Sequence, residues 1–312
     1  MGRRFLAIGE CMIEFAPASD GTYAIGFAGD TFNTAWYARR LAGGDHIEVA
    51  YLSAVGDDSL SHQLTGFMDE AGIAPCLATV QGASPGVYMI VLNEGERSFQ
   101  YWRSQSAARH LADDLSPLDG FGRGDMLYFS GITVAILPEN SRTRLLEAVD
   151  AASARGAAIV FDPNLRPRLW TDAEEMCRWT TRAAGASDIV LPSFDDEATH
   201  FGDDDPETTA RRYLENGARL AVVKNGAGAV LVRASDGDGF QYHPDPVAEI
   251  VDTTAAGDSF NAAFLIEYLE KSRLREAVRA GCALARHVIC HRGALVPVTR
   301  LDLNRHKVSL PA

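Results

Sequence analysis

The stretch that most constrains this chain is Asp252 to Phe264, DTTAAGDSFNAAF, which joins a β-like run, Val247 to Val251, to an apolar-periodic segment ending near Leu269. Read in order, this is strand, small-residue turn and helix, the unit from which layered α/β domains are built. Ala255, Ala256 and Gly257 carry almost no side chain, so a ligand can approach their backbone closely, and the first N–H groups of the helix lack intrahelical partners. Such a turn is an anion site. Asp258 lies in the same turn, where a carboxylate among amides is placed to take a proton rather than to bind phosphate itself. For an isolated acid the simpler reading is an N-cap, with Ser259 and Asn261 as ordinary first-turn polar residues. Here Asp252 and Asp258 bracket the turn, and one cap needs only one side chain.

With 312 residues the chain can bury a sizeable core, and its length suits one large α/β domain with a small appendage. The formal net charge of -13 argues against nucleic acid or an anionic membrane as the main partner, because both need a basic surface. A small anionic substrate stays open, since local arginines rather than net charge build such a pocket. Cys11, Cys76, Cys177, Cys282 and Cys290 are odd in number and show no C-x-x-C spacing, which predicts a reduced, cytoplasmic setting. Met1 to Ile13 is too mixed for a signal peptide, with Glu10 interrupting the apolar run, and no window approaches a membrane span. Asp203 to Asp205 reads as a solvated loop.

Phe5 to Ile8 predicts a buried first strand, and the GECMIE that follows lacks the glycine spacing of a dinucleotide fingerprint, so a nicotinamide oxidoreductase loses its main support. Ile13 to Phe27 is strand-like and turn-rich, and Ala28 to Asn33 opens a helical pattern through Ala35, Ala38 and Leu41 to Gly43-Gly44. In that turn Asp30 can accept from two sugar hydroxyls and Asn33 can both donate and accept; taken alone, a capped helix start explains it better. Val49 to Val55 predicts a strand and Ser59 to Glu70 a helix. Val87 to Leu92 and Arg97 to Trp102 alternate around Asn93-Glu94-Gly95-Glu96, the pattern of a β-hairpin. Tyr101 and Arg103 are two apart and so predicted on one face. Surface packing is the plain explanation of such a pair, while a guanidinium fork that grips a carboxylate is the functional one.

Further on, Asp125 to Phe129 predicts a strand with Ser130-Gly131-Ile132 as its C-terminal loop, where open parallel sheets place ligands. Ser141 to Arg155 predicts a helix, Ala157 to Phe161 a buried strand leading into Asp162 to Arg168, and Ile189 to Pro192 another strand. Leu220 to Lys224 runs into the glycine turn Asn225 to Ala229, Val230 to Val232 continues as strand, and Arg275 to Cys290 is helical. The pattern G-x-x-x-x-G-K-[ST] occurs nowhere, so phosphates would have to be held by the 255 to 258 turn. The alternation of strand and helix predicts a doubly wound α/β layer sandwich, with the hairpin material as an edge-mounted lid.

DTTAAGD resembles the C-terminal signature of the ribokinase-like (PfkB) carbohydrate kinases, D-T-x-G-A-G-D, with Ala255 in place of the usual first glycine of the triplet. Ala28 to Asn33 is similar to the N-terminal signature G-G-x-x-x-N, with Ala28 where the first glycine stands. IGECMIE, the GDTFN turn, YWR at 101 to 103, SGITVAIL at 130 to 137 and NLRPRLW at 164 to 170 are together similar to the 2-keto-3-deoxygluconate kinase subfamily. The likeness spans almost the whole chain and is weakest over Asp203 to Asn216.

This resemblance implies one kinase domain over residues 1–312, with a mostly parallel sheet and a β lid formed from about 14–28 and 86–103. It implies transfer of the ATP γ-phosphoryl to the C6 hydroxyl of 2-keto-3-deoxy-D-gluconate, with Asp258 as base and the main chain of Ala255, Ala256 and Gly257 stabilising the moving group. Gly29, Asp30, Asn33, Tyr88, Tyr101 and Ile132 would surround the sugar, with Arg103 and Arg166 on its carboxylate and Arg168 as the nearby alternative. Asn164, Arg166, Ser193, Lys224, Gly226 and Gly228, with Ala255 and Gly257, would meet the nucleotide, and His291 to Ala294 would form the adenine-side loop. Glu197 matches the Glu of N-x-x-E that organises Mg²⁺ through water, although Phe194 stands where Asn is usual and a helix-start acid is the other reading. Asp252 with the Thr254 carbonyl matches a monovalent-cation site, for K⁺. A homo-oligomer would form through the lid. The alternatives are a kinase of another sugar acid or of a ketohexose, and a catalytically idle sugar-acid sensor on the same scaffold.

Overall fold

Strands buried on both faces read as unbroken apolar runs, and the centre of this molecule is made of three of them: β1 (Arg3–Ile8), β8 (Met126–Ser130) and β9 (Ala158–Asp162). The computed structural model describes residues 2–18, 21–42, 46–93 and 96–299, with backbone alone at 92, 93, 96 and 97. Beside β1 lie β4 (Ile47–Val55) and β5 (Ala74–Thr79); beside β9 lie β10 (Ile189–Val190), β11 (Leu220–Val223), β12 (Val230–Ala234) and β13 (Gly239–Tyr242). The order β13-β12-β11-β10-β9-β8-β1-β4-β5 is parallel except at β11-β12 and β12-β13.

Strand period assigns the core to two sides. Phe5, Ala7, Tyr128 and Val160 face one cluster, covered by α1 (Asp30–Leu41), α2 (Ser59–Glu70), α8 (Ala256–Lys271) and α9 (Leu274–Ile289). Leu6, Ile8, Phe129 and Phe161 face the other, covered by α3 (Gly131–Ile136), α4 (Glu139–Ala154), α5 (Ala173–Gly185) and Tyr213 of α7 (Pro206–Glu215). A smaller cluster seats α6 (Phe194–Phe201) through Phe194. Helix α8 is enclosed almost all round, with Ser259 to Ile266 buried, and this fixes its N-terminus.

A second sheet, β3-β2-β6-β7, is built from β2 (Met12–Pro17), β3 (Tyr23–Ala28), β6 (Val87–Asn93) and β7 (Glu96–Trp102). The expected hairpin is present, with Tyr88 opposite Tyr101; its turn at Glu94-Gly95, like the helix end at Gly43-Gly44, lies outside the described residues. Met12, Ala28, Tyr88, Ile90 and Ala294 root this lid on the main body.

Several expectations need correction. Val247 to Val251 is not a strand: Ile250 and Val251 are exposed, Pro244 and Pro246 precede them, and Val251 N–H donates to the Ile289 carbonyl rather than to a neighbouring strand. Ser130 to Ile132 is not a loop, because Ser130 caps α3 in a reciprocal capping box with Thr133. Asp203 is not solvated; it is buried and held by Arg212 and Thr209. Asp205 N-caps α7, a helix that the chain pattern had not suggested.

Candidate active site

Because β1, β8, β9 and β11 run parallel, Glu10, Ser130, Asp162 and Lys224 leave the sheet on the same side. The N-termini of α1 and α8 open onto that edge. Gly29 is required at the first: a Cβ there would stand 2.1 Å from the Glu10 carbonyl oxygen, so α1 begins pressed against the end of β1. From α1, Asn33 Nδ2 donates to Asp258 Oδ2 at 2.8 Å and Thr34 Oγ1 donates to the Asp258 main-chain oxygen at 3.2 Å. Asn164, whose φ of +37° is left-handed, donates from Nδ2 to Asp30 Oδ2 at 2.9 Å. Asn164, expected on the nucleotide, thus lies beside Asp30, which was expected on the sugar.

The second helix start is shaped by Ala255, an alanine in the left-handed region at φ 59°, ψ 16°. The Ala256 N–H donates to the Thr253 carbonyl at 3.2 Å, so the turn uses this amide, and Ser259 N–H returns to the Ala255 carbonyl at 2.9 Å. Gly257 and Asp258 are the first-turn positions whose N–H groups helix geometry leaves over. Of the expected Ala255 to Gly257 amides, that of Ala256 is thus already engaged within the turn. Asp252 organises its approach, accepting from Thr254 N at 3.1 Å, Thr254 Oγ1 at 2.7 Å and Gly293 N at 2.8 Å.

Asp258 lies deep between the two helices yet keeps an exposed edge. Burial, and next the charge of Asp30, push its carboxyl up to about 8, with Asp162 adding to the rise and Asn33 and Lys224 opposing it. Asp30 is raised as well, chiefly by burial. The buried Lys224 stands below: its Nζ donates to Asn261 Oδ1 at 3.2 Å and to Asp162 Oδ1 at 3.4 Å. A Cβ placed on Gly257 would be 3.7 Å from that Nζ, so the ammonium lies under the amides of the turn. Asn261 Nδ2 in turn donates to Asp162 Oδ2 at 2.8 Å and to the Tyr128 hydroxyl at 3.1 Å.

On the lid, the buried Tyr88 donates to Glu14 and lies 5.8 Å, centroid to centroid, from the half-exposed Tyr101. β7 ends at Trp102, and the Arg103 side chain just beyond it turns inward to pair with buried Glu10. Arg103 Nε and Glu10 Oε1 are buried without a hydrogen-bond partner among the described residues. Arg166 is half exposed, donates to the Leu165 carbonyl at 2.7 Å and stands 3.7 Å from Asp196. Ile132 is half-buried and packs toward the α4 and α5 side of the core. Ser193 precedes α6 and bridges to Lys224, and Gly226, at φ +50°, and Gly228 form the turn after β11.

Glu197 is a correction. Its side chain has no exposed surface; Arg212 and Tyr213 donate to it at 2.7 and 2.9 Å, and burial pushes its carboxyl up to about 7. A water-mediated hold on a metal is closed to a carboxylate sealed this way. Among the described residues no group of three or more His, Cys, Asp or Glu side chains gathers to hold a metal ion. Sequence reasoning missed Asp162, Asn261, Tyr128, Thr34 and Glu10. For Asn261 a signal existed, since it stands three residues after Asp258 on one helix and so on its side.

The fold and this cleft, with an acid at a helix start above a buried lysine, define a layered α/β enzyme built for an anionic ligand and a polyhydroxylated one. The model of the pfkB family carbohydrate kinases matches residues 3–300, and the chain belongs to that family. It is similar to the 2-dehydro-3-deoxygluconokinase of Haemophilus influenzae, 37% identical over 300 residues that cover 94% of this chain and 96% of the relative. It is also similar to a fructokinase of Solanum tuberosum, 28% identical over 307 residues, covering 93% and 91%. Among solved structures, aminoimidazole riboside kinase from Salmonella enterica, determined with aminoimidazole riboside and an ATP analog, shares the fold at a TM-score of 0.85, with 22% identity and 98% and 100% coverage.

Proposed function

We propose that this chain transfers the γ-phosphoryl group of ATP to the C6 hydroxyl of 2-keto-3-deoxy-D-gluconate, releasing ADP and 2-keto-3-deoxy-6-phosphogluconate. The observation that carries this is the Asp258 carboxylate, held by Asn33 at the N-terminus of α8 between Asp30 and Lys224. The relative sharing 37% of its residues, named for the same reaction, supports the choice of sugar acid.

In this mechanism the C6 oxygen forms a bond to the γ-phosphorus while the bond from phosphorus to the β,γ-bridging oxygen breaks. The electrons of that bond leave with ADP, and the C6 hydroxyl proton passes to Asp258. Amides of Gly257 and Asp258, with Lys224 beneath them, meet the charge on the moving group. Asp30 and Asn164 are assigned to the sugar hydroxyls, with Gly29 as the close-packed wall behind them, Tyr88 and Tyr101 on the lid above, and Ile132 assigned to the same substrate. Arg103 and Arg166 are the cations assigned to the carboxylate, and Ser193, Gly226 and Gly228 line the nucleotide side. Mg²⁺ would enter with ATP and, when bound, would neutralise charge on the phosphates. Asp252 and the Thr254 carbonyl are the place assigned to K⁺. A cytoplasmic location belongs to the same proposal: all five cysteines are free, and no helix of the described residues is long and apolar enough to cross a membrane. So does a homo-oligomer through the lid, where Tyr23, Ile25, Tyr101 and Trp102 are exposed; a monomer at every concentration in sedimentation would remove it.

A second reading, phosphorylation of a ketohexose, is favoured by one feature: Glu10 already meets the charge of Arg103. A coupled ATP assay across epimeric 2-keto-3-deoxy acids and fructose separates the two, and absence of sugar-dependent ADP release would leave a sensor instead. Asp258→Asn should fold, bind ATP and lose two to three decades of turnover, an estimate of about 2.7–4 kcal/mol in the barrier. Turnover near that of the parent would end this mechanism.

A further inference from the structure

Asn261 was expected only as a polar residue of the first turn of α8, yet its side chain joins the cation of the cleft to the nearest counter-charge. It has no exposed surface. Its Oδ1 accepts from Lys224 Nζ at 3.2 Å, and Nδ2 has an acceptor for each of its two N–H bonds, Asp162 Oδ2 at 2.8 Å and the Tyr128 hydroxyl at 3.1 Å. A flipped amide would set N–H against the ammonium and oxygen against the carboxylate, so the orientation is fixed. Lys224 is placed oddly between its partners. An ammonium that meets a carboxylate freely closes to about 2.7–2.9 Å, whereas Nζ stays 3.4 Å from Asp162 Oδ1 and stands nearer to the neutral Asn261. These two contacts use two of the three N–H bonds of the ammonium. Nζ also lies 3.7 Å from the point that a Cβ of Gly257 would occupy, beneath the first-turn amides of α8, and its charge is felt by Asp258 and Asp196.

We infer that Asn261 is the positioning residue of Lys224: bonded to the ammonium on one side and to Asp162 on the other, it keeps the pair from closing and leaves charge and a third N–H for the phosphoryl group in transfer. A cation fully paired with a carboxylate has little attraction left for a second anion, and one held mainly by a neutral oxygen keeps most of it. Asp162 is restrained from the other end, because the oxygen that does not face Lys224 is taken by Asn261 Nδ2. Asn261 is itself held from below, since Tyr128 belongs to β8 and its hydroxyl is also within 3.4 Å of Thr34 Oγ1. Sealed from the cleft, Asn261 acts only through Lys224. The inference deepens the kinase reading and rests on Lys224 meeting the moving group.

The test is a double-mutant cycle on turnover, with the sugar found active in the panel. Asn261→Leu is similar in size and lets Asp162 close on Lys224, so kcat should fall about tenfold or more while KM for the sugar stays nearly unchanged. Lys224→Met should lose on the order of a hundredfold. Adding Asn261→Leu to Lys224→Met should then cost nothing further, because no ammonium is left to place. A loss of the same size in both backgrounds would make Asn261 a packing residue and overturn the inference, as would unchanged turnover in Asn261→Leu. If Asn261→Leu does not fold, a crystal structure of the parent with ADP, aluminium fluoride and the sugar supplies the answer: Nζ should donate to a fluoride and stay farther from Asp162 than from Asn261. An ammonium closed onto Asp162 and turned from the fluoride overturns it equally. A parent chain that phosphorylates no sugar sinks the kinase reading, and this inference with it; an active parent whose two losses simply add sinks this inference alone.

Discussion

At the scale of single residues, the site stores free energy that the fold supplies elsewhere. Burial and Asp30 raise the Asp258 carboxyl to about 8 in the folded chain, whereas an unfolded aspartate sits near about 3.9. A folded value above the unfolded one means that stability is fully present below the unfolded pKa and is lost as pH climbs through the folded value. Asp258→Asn should therefore be more stable than the parent at pH 9, with the advantage shrinking as pH falls toward 4; urea titrations across that range measure it, and a constant difference would contradict the assignment. The same functional strain appears at Ala255, whose left-handed backbone costs an L-residue about 1–2 kcal/mol. Ala255→Gly relieves this at some cost in unfolded-state entropy, so a gain of up to about 1 kcal/mol is expected by thermal denaturation. A loss of that size would show that the alanine methyl makes a packing contribution that outweighs its strain.

At the scale of elements, the placement of Asp258 depends on how α8 is clamped. Helix α9 crosses it at Gly281, where a Cβ would come within 2.8 Å of the Phe260 ring and 3.0 Å of its carbonyl oxygen. The second of these is backbone and cannot swing aside. Gly281→Val should thus cost about 1–3 kcal/mol by overpacking. Because Phe260 is two residues beyond Asp258, turnover should fall more than the change in KM for ATP would suggest. Unchanged stability and turnover would mean that α9 gives way without disturbing α8. The cluster of Glu197, Arg212, Asp203 and Tyr213 clamps α6 against α7 in a similar manner and takes no part in the cleft.

At the scale of the whole molecule, the proposed recognition of the sugar acid lies where lid and sheet meet. Arg103 follows the lid hairpin while Glu10, its partner, follows β1 of the large sheet. A sugar carboxylate must compete with Glu10 for that guanidinium, and Arg166 must turn from Asp196, 3.7 Å away. Under the sugar-acid reading, Arg103→Ala and Arg166→Ala should each raise KM for the acid far more than for a neutral ketose in steady-state assays. Equal effects on both substrates would remove the arginines from carboxylate recognition.

The elements legible in the sequence were those with a local cause. Ser59–Glu70 appears as a helix because Asp58 caps it, and the lid hairpin because its strands alternate. The small-residue turn and its acid could likewise be read directly, since backbone access and proton transfer depend on residue type. Val247 to Val251 misled because β-branched residues resemble a strand whether or not a neighbour offers hydrogen bonds. The pairings that tune the site were not legible: Asn33 with Asp258, Asn164 with Asp30, Asp162 with Lys224, and Arg103 with Glu10 each join distant segments. The chain by itself determined which chemical groups are available and which small residues admit a ligand. Only the tertiary structure decided which donor meets which acid, because burial and a neighbour's charge arise when separate strands and helices converge on one edge of the sheet.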